Sequence, residues 1–329
     1  MTKYLQMTPE DLEIAGEIVR GGGLVAFPTE TVYGLGANAL DVQAVKKIYV
    51  AKGRPSDNPL IVHIYDKSQL ADIALSVSAD AEKIIDAFMP GSITIVLPKK
   101  SCIDDCVTGG LPTVAVRMPS SHEALAFLRS CHVPVCAPSA NTSTRPSPTT
   151  WQSVKEDMDG RIDVLLMGSD CKVGIESTVL DLCGEQPTVL RPGIVTPNGI
   201  SAVLGKPVRV VTNPKEKVNS PGVRYKHYAP RCPMVLNLDG NKDKVLDFYR
   251  RCEQDGYNPV ILTRYPRLYP DCSTWYLGTT DEEVAHNLFE ALRRCEKKYD
   301  YIIACYNGTG EVAFSVLNRI TKSAGQNIL

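Results

Sequence analysis

The segment LVAFPTETVYGLGANALDVQAVKKIYVAKGRPSDNPLIVHIY, residues 24–65, indicates the architecture of the N-terminal half of the chain. It opens with the apolar strand pattern LVAFPT, continues through what we predict to be a glycine-rich loop and reaches Asp41, a residue type that caps helices. Val45 and Ile48 then recur at helical spacing until Gly53 ends the helix, and the strand pattern LIVHIY follows. A strand, a helix and a second strand in this order predict an α/β sheet.

The flanking sequence extends the same alternation. Upstream, Thr8 as N-cap and Pro9 at the first helical position predict a helix that ends at residues 21–23. Downstream, helix patterns alternate with the strand patterns SITIVLP, TVAVRM, VPVCAPS, STVLDL and PTVLRPG. Because some strand patterns follow one another without a helix between them, we predict a mixed sheet rather than a purely parallel one.

The pattern changes after residue 205. Residues 206–230 are rich in proline and show no helical period, so we predict a linker there. Strand and helix patterns resume over residues 231–329 and predict a second, smaller α/β domain with a parallel sheet. The predicted organisation is therefore a first domain at 1–205, a linker at 206–230 and a C-terminal domain at 231–329.

The composition is that of an ordinary folded protein. The 329 residues carry a formal net charge of -1, with 43% hydrophobic and 22% charged residues, so bulk attraction to nucleic acid or to a membrane is not indicated. The 11 cysteines form no C-x-x-C pair, which favours free thiols in a reducing compartment. The scattered histidines predict no protein-bound metal, and the absence of a signal pattern or long apolar run predicts a cytoplasmic protein without a membrane partner.

Two polar segments are candidates for binding chemistry. FPTETVYGLGANA, residues 27–39, follows a strand and offers the hydroxyls of Thr31 and Tyr33, although it is also compatible with a purely structural turn. APSANTSTRPSPT, residues 137–149, offers many small donors and the cation of Arg145, which suit a phosphate, a ribose or a carboxylate. The alternative for this second segment is a solvated loop.

Cations beside strands add to this set. Arg117 in TVAVRMP and Arg191 in VLRPG either pair with structural carboxylates or clamp a substrate anion, a role that suits the planar guanidinium fork. GTGEVA, residues 308–313, fits a dinucleotide-binding pattern, but any tight connection between a strand and a helix looks the same. Together these features predict a cleft rich in hydroxyls and cations, without an evident catalytic base.

The order of the motifs resembles one known family. The motifs are PTETVYGLGANA, KGRPSDNPLIVHI, PGSITIVL, VAVRMPS, APSANTSTRPSPT, GIESTVLDL and LRPGIVT. In this order they resemble the YrdC/Sua5 family of threonylcarbamoyl-adenylate synthases. SPGVRYKHYAP, followed by the second α/β pattern, is similar to the longer Sua5 branch. The resemblance implies a twisted, mixed-sheet YrdC-like catalytic domain and a smaller, Rossmann-like C-terminal Sua5 domain.

The resemblance also implies an activity. L-Threonine, bicarbonate or CO2, and ATP with Mg2+ would yield L-threonylcarbamoyladenylate and pyrophosphate. A separate transferase machinery, contacted at most transiently, would use the product for t6A at position 37 of tRNAs reading ANN codons, so direct tRNA binding is not required. The alternatives are an RNA-binding module without catalysis and another carbamoyl-transfer enzyme, whose acylphosphatase and zinc-finger modules are missing here.

The family's functional positions map onto this sequence by resemblance alone. The catalytic positions are Lys52, Arg54, Ser139 and Asn141. The ATP-binding positions are Arg54, Asn58, Thr113, Ser139, Ser147, Arg191, Gly222 and Tyr225. The L-threonine-binding positions are Thr31, His63, Arg117, Ala137 and Ser177. Arg117 would bind the threonine carboxylate, Thr31 or Ser177 would meet its hydroxyl, and residues 220–230 would close over the nucleotide as a lid.

Overall fold

A computed structural model of the chain describes residues 1–212 and 227–329. The described residues divide into two compact units. The first unit comprises 1–143, 148–172 and 176–212, and the second comprises 144–147, 173–175 and 227–329. The predictions for Gly222, Tyr225 and most of the lid at 220–230 lie outside the described residues.

The first unit is built on one large mixed sheet. Its strands are β1 Lys3–Leu5, β2 Val25–Phe27, β3 Gly34–Asn38, β4 Ile61–His63, β5 Ile93–Pro98, β6 Thr113–Arg117, β7 Val135–Ala137, β8 Val164–Leu166, β9 Thr178–Asp181, β10 Thr188–Arg191 and β11 Arg209–Val210. Their order in the sheet is β1-β8-β2-β3-β7-β4-β6-β5-β9-β10-β11. Parallel pairs such as β4 with β6 alternate with antiparallel pairs such as β5 with β6. The predicted mixed sheet is confirmed.

Helices cover this sheet. They are α1 Pro9–Arg20, α2 Val42–Lys52, α3 Leu70–Ile73, α4 Ala79–Phe88, α5 Asp105–Thr108, α6 His122–Cys131, α7 Trp151–Met158 and α8 Pro197–Leu204, with a 3-10 turn at Lys67–Gln69. The Thr8 hydroxyl accepts the N–H of Asp11 at 3.3 Å, and Asp41 caps α2. At the other end of α2, Gly53 adopts a left-handed conformation with φ 61. The capping and ending signals predicted from the sequence are confirmed.

The alternation of side chains along the strands divides the core between the two faces of the sheet. On one face, Val25 and Phe27 of β2 pack in a cluster with residues of α1 and α6, including Val19 and Phe127. On the opposite face, Ala26 belongs to the larger cluster with residues of α2 and α4. Because successive residues of a strand point to opposite faces, both faces need a helical cover, as in other sheets buried on both sides.

The glycine-bearing segment 27–39 differs from the prediction. Its second half is not a loop: β3 pairs antiparallel with β2, and only residues 28–33 connect the two strands. Close packing explains why glycine is found in this strand, since a Cβ at Gly36 would lie 2.8 Å from Val135 Cγ1. The hydroxyl of Tyr33, predicted as a candidate ligand contact, has a partner within the protein, because it donates to the carbonyl of Gly168 at 2.9 Å. At the far edge of the sheet, β11 lies within the span predicted as linker and pairs with β10.

The second unit contains a smaller sheet. Its strands are β12 Met234–Asn237, β13 Pro259–Thr263, β14 Thr274–Tyr276 and β15 Tyr301–Cys305, in the order β12-β15-β13-β14, and each pair is parallel. Its helices are α9 Lys242–Gln254, α10 Asp281–Lys298 and α11 Ala313–Ser323, with a 3-10 turn at Pro266–Leu268. The predicted parallel sheet is confirmed.

The glycine turn 308–313 follows β15. The N–H of Gly310 donates to Asp281 Oδ2 at 3.1 Å, while Asp281 Oδ1 accepts from the Tyr306 hydroxyl at 2.7 Å. A Cβ at Gly308 would lie 2.4 Å from the same carboxylate. The position that a phosphate would take at a dinucleotide turn is therefore filled by a carboxylate of the chain, which favours the structural interpretation.

Candidate active site

Three of the four predicted catalytic residues meet at the end of α2. Lys52 is only 3% exposed, and its ammonium donates to the backbone carbonyls of Ser139 and Asn141, both at 2.5 Å. The Ser139 hydroxyl donates to Asn141 Oδ1 at 2.5 Å. Ser139 is itself anchored, because it forms an isolated antiparallel bridge with Gly34 at the start of β3. The buried ammonium therefore holds the polar segment after β7 against the helix end.

Arg54 lies in the loop that joins α2 to β4. Its guanidinium donates to the carbonyls of Asn58, at 3.2 Å, and Pro59, at 3.1 Å. Asn58 is 2% exposed, so the end of the loop next to β4 is packed, whereas residues 55–57 are exposed. Proline restricts the backbone of this loop, and the hydrogen bonds of Arg54 fold it onto itself. The cation is thereby positioned in advance, which lowers the entropic cost of binding an anion.

The β4 and β6 pair separates the two predicted groups of ligand-binding residues. Asn58 precedes β4 and Thr113 begins β6, whereas His63 and Arg117 are register partners at the other end of the pair. Thr113 and Arg117 are four residues apart, which corresponds to about 13 Å along a strand. Two predicted nucleotide contacts, Asn58 and Thr113, thus lie at the end of the strand pair opposite to two predicted threonine contacts, His63 and Arg117. Ala137, on β7, is opposite Ile61 in the neighbouring pair.

A buried group of four residues, Glu30, Thr31, Ser92 and Arg117, surrounds the end of β6 and is called the Arg117 cluster below. Arg117 is 4% exposed and donates to Thr31 Oγ1 at 2.8 Å and to Glu30 Oε1 at 2.6 Å. The Ser92 hydroxyl also donates to Glu30 Oε1, at 3.1 Å. Arg117 thus pairs with a protein carboxylate, as the structural interpretation predicts. It also lies beside Thr31, a predicted threonine contact, as the substrate-binding interpretation predicts.

Glu30 and Ser92 are the residues of this cluster that the sequence did not predict, and Glu30 carries the negative charge of the cluster. Burial by itself would raise the pKa of its carboxyl, but the charge and hydrogen bond of Arg117 hold that pKa below its usual range. The carboxylate is therefore ionised at neutral pH. The signal that could have revealed it is an acid between two threonines, directly after a strand, in the motif PTETVYG.

His63 is a neutral wall of the same site. It is 4% exposed, its Nδ1 lies 3.1 Å from the carbonyl of Ile61, and its ring meets that of Phe27 edge-on at 5.9 Å. Burial, together with the positive charge of Arg117, lowers the pKa of His63 to about 3. An uncharged imidazole can hydrogen-bond a ligand, but it adds no positive charge at neutral pH.

Ser177 and Arg191 form a second hydrogen-bonded group beside β9. The Ser177 hydroxyl is 2.8 Å from Thr94 Oγ1, and the guanidinium of Arg191 donates to the carbonyl of Ser177 at 3.0 Å and to its Oγ at 3.1 Å. The motif after β10 needs glycine, since a Cβ at Gly193 would lie 2.4 Å from the backbone nitrogen of Thr178. Arg191, a predicted ATP contact, is thus hydrogen-bonded to Ser177, a predicted threonine contact.

Two candidates from the segment 137–149 belong to the second unit. Ser147, a predicted ATP contact, is 1% exposed there. Arg145, predicted to suit the phosphate, ribose or carboxylate of a ligand, instead forms two hydrogen bonds with a protein carboxylate, that of Glu296 on α10. Arg293 donates to the carbonyl of Pro146 at 2.6 Å. Arg293 therefore has a structural role in the second unit.

Comparison with known proteins identifies the family. Residues 17–193 match the Sua5_yciO_yrdC model, described as telomere recombination, and residues 195–325 match the model of the threonylcarbamoyl-AMP synthase C-terminal domain. The chain belongs to the Sua5/YciO/YrdC family. Full-length relatives of this family include a threonylcarbamoyl-AMP synthase of Pyrococcus abyssi, 41% identical over 97% of this chain and 95% of the relative. A threonylcarbamoyl-AMP synthase of Bacillus subtilis is 42% identical over 100% of this chain and 97% of the relative.

A solved structure of the family matches the whole chain. The crystal structure of P. abyssi Sua5 complexed with L-threonine aligns with a TM-score of 0.94 and 39% identity, covering 100% of this chain and 99% of that one. The predicted fold class, a YrdC-like mixed-sheet domain with a Sua5 C-terminal domain, is confirmed. The chain is a synthase of threonylcarbamoyl-AMP, and an RNA-binding module without catalysis is not favoured. Within residues 1–212 and 227–329, no helix is long and apolar enough to cross a membrane.

Proposed function

We propose that this synthase forms L-threonylcarbamoyladenylate and pyrophosphate from L-threonine, bicarbonate or CO2, and ATP. The observation that carries this proposal is the Arg117 cluster, a buried guanidinium flanked by hydroxyls and suited to the carboxylate of an amino acid. The relative bound to L-threonine, which this chain matches over its full length, supports threonine as the amino acid. The product would serve t6A formation at position 37 of tRNA through a separate transferase machinery.

The reaction begins at the amino group of threonine. Threonine arrives with an ammonium group, which first loses a proton to solvent. The neutral amine then adds to CO2 and forms a carbamate with loss of a second proton. A carbamate oxygen then attacks the α-phosphorus of ATP. The bond between the α-phosphorus and the oxygen that bridges to the β-phosphate breaks, and pyrophosphate leaves. This kind of transfer depends mainly on positioning the reactants and on neutralising phosphate charge, so a cleft of cations and donors suffices for it.

The end of the β4 and β6 pair at Asn58 and Thr113 would contact ATP, and the end at Arg117 would contact threonine. We assign the phosphates to Lys52, Arg54 and Arg191, with further ATP contacts from Asn58, Thr113, Ser139 and Asn141. We assign the threonine carboxylate to Arg117 and the remaining threonine contacts to Thr31, His63, Ala137 and Ser177. The hydrogen bond between Arg191 and Ser177 joins the two groups, as a transfer from one substrate to the other requires.

Mg2+ would enter with ATP and neutralise charge on the phosphates. In the described parts of the chain, no group of three or more His, Cys, Asp or Glu side chains is placed to hold a metal ion. The proposed ligands of Mg2+ are therefore phosphate oxygens and water, a usual arrangement for this ion. The cationic side chains then complete the neutralisation of the leaving pyrophosphate.

The test is pyrophosphate release from ATP, measured with and without L-threonine and with and without bicarbonate. We expect release only when both are present, and release that ignores threonine would refute the proposal. Arg54→Ala should raise the KM for ATP, and Arg117→Lys, which keeps the charge but loses the fork, should raise the KM for threonine. Arg129→Ala removes an exposed arginine of α6 and should change neither constant.

A further inference from the structure

One carboxylate oxygen in the Arg117 cluster is left without a hydrogen bond. Glu30 is 8% exposed, and its Oε1 accepts from Arg117 and from Ser92. Its Oε2 is buried and accepts no well-formed hydrogen bond from any residue in 1–212 or 227–329. The backbone N–H groups of Glu30 and Ser120 add to the effect of Arg117 on the pKa of this carboxyl, but neither forms a hydrogen bond with Oε2. A buried, ionised oxygen without a donor is unfavourable, and nearly all such groups in folded proteins are satisfied. A bound ligand can supply the missing donor.

Arg117 has complementary capacity. Its guanidinium carries five N–H donors. Among the described residues three hydrogen bonds are made, to Thr31, to Glu30 and, at 3.4 Å, to the carbonyl of Gly91. Two donors remain for a ligand anion. The cluster thus combines an acceptor on Glu30 with donors on Arg117, and its two charges cancel.

An amino acid at neutral pH has the matching pattern, an ammonium and a carboxylate on one carbon. We propose that Glu30 binds the α-ammonium group of the substrate through Oε2, while Arg117 binds the α-carboxylate. This inference rests on the proposed function, which brings threonine to the Arg117 cluster. Glu30 is then a specificity-determining residue that favours α-amino acids over α-hydroxy acids, because a hydroxyl offers an ionised acceptor no positive charge.

The neighbouring groups fit an ammonium at this point. His63 is the register partner of Arg117, and its imidazole is neutral, so it adds no positive charge that would repel the ammonium. The hydroxyls of Thr31 and Ser92 are already hydrogen-bonded within the cluster. The ionised carboxylate of Glu30 is therefore the strongest acceptor available there for a cation.

The experiment compares two ligands by isothermal titration calorimetry. L-Threonine is tested against (2S,3R)-2,3-dihydroxybutanoate, which has the same carboxylate and β-hydroxyl but a hydroxyl in place of the ammonium. The wild-type chain should bind threonine at least about tenfold more tightly. Glu30→Gln should weaken threonine binding by about tenfold and should not weaken binding of the hydroxy acid, because it removes a negative charge that competes for Arg117.

Other outcomes overturn the inference. If Glu30 only holds Arg117 in place, Glu30→Gln weakens both ligands equally, since both bring a carboxylate to Arg117. If water satisfies Oε2 in the complex, Glu30→Gln leaves threonine binding unchanged. Glu17→Gln is the matched control, because it makes the same substitution at an exposed carboxylate of α1, and it should change neither affinity.

Two safeguards keep the test decisive. Should Glu30→Gln fail to fold, the wild-type comparison decides alone, and equal affinity for the two ligands refutes the inference. Pyrophosphate release by the wild-type chain with L-threonine is measured in parallel. Loss of the ligand preference with intact release overturns only the role of Glu30, whereas absence of threonine-dependent release overturns the proposed function itself.

Discussion

Replacing Arg117 with methionine should destabilise the first unit by leaving a buried carboxylate without its counter-charge. The side chains of Arg117 and Glu30 are 5% and 9% exposed, and their ion pair measures 2.6 Å. Breaking a buried ion pair by removing one partner costs about 3–5 kcal/mol. That is a large share of the roughly 5–15 kcal/mol by which folded proteins are stable. Methionine keeps most of the apolar volume, so the lost charge dominates the effect.

The loss should depend on pH in a defined direction. In the wild-type chain Arg117 outweighs burial and lowers the pKa of Glu30. Without Arg117, burial is the largest remaining influence and is opposed only by the backbone N–H groups of Glu30 and Ser120, so we expect that pKa to rise above its value in the unfolded chain. A carboxyl with a raised pKa is stable in its protonated form, and stability falls as the pH rises from the unfolded to the folded pKa. The destabilisation by Arg117→Met should therefore be smaller near pH 5 than near pH 8.

Urea unfolding, followed by circular dichroism near pH 5 and near pH 8, measures this difference. Adding Glu30→Gln to Arg117→Met removes the stranded charge and should recover much of the lost stability, because replacing both partners costs less than removing one. If Arg117→Met lowers the free energy of unfolding by less than about 0.5 kcal/mol, the reasoning is refuted. It is also refuted if the loss of stability is the same at both pH values and is not reduced in the double variant.

Two further substitutions test packing and charge elsewhere. Gly193→Ala places a Cβ 2.4 Å from the backbone nitrogen of Thr178 and should cost about 1–3 kcal/mol in urea unfolding, whereas unchanged stability would contradict the close approach. Glu296→Gln strands the cation of Arg145 in the second unit, where the two side chains are 2% and 11% exposed, and should cost about 3 kcal/mol. The control Glu290→Gln removes a pair with an exposed partner and should cost under about 0.5 kcal/mol, so equal losses would contradict this assignment.

Signals confined to a few neighbouring residues predicted the elements well. Thr8 and Asp41 cap helices through hydrogen bonds that reach only two or three residues along the chain, so their sequence context is sufficient. The alternation of strand and helix patterns likewise predicted the mixed sheet and the smaller parallel one. The prediction was less accurate at β3, where glycines that normally indicate a loop are required by the close packing of two strands.

The motifs identified the parts of the site but not how they are connected. Lys52 and Asn141 were predicted to act together by resemblance, yet the hydrogen bond between the Lys52 ammonium and the backbone of Asn141 is visible only in the folded chain. The same holds for Arg145, for which the sequence left a phosphate, a ribose or a carboxylate open. Its partner, Glu296, lies 151 positions away.

Local order, domain architecture and the types of residue in the cleft therefore follow from the sequence, because capping, periodicity and motif order act over short stretches. Tertiary structure alone decided which charges face one another. Glu30 and Arg117 are 87 residues apart, and they meet because Glu30 lies three residues after the end of β2 while Arg117 is the last residue of β6 in the same sheet. Since strand register depends on packing across the whole sheet, no short motif could have shown that the Arg117 cluster contains both a cation and an unsatisfied carboxylate oxygen.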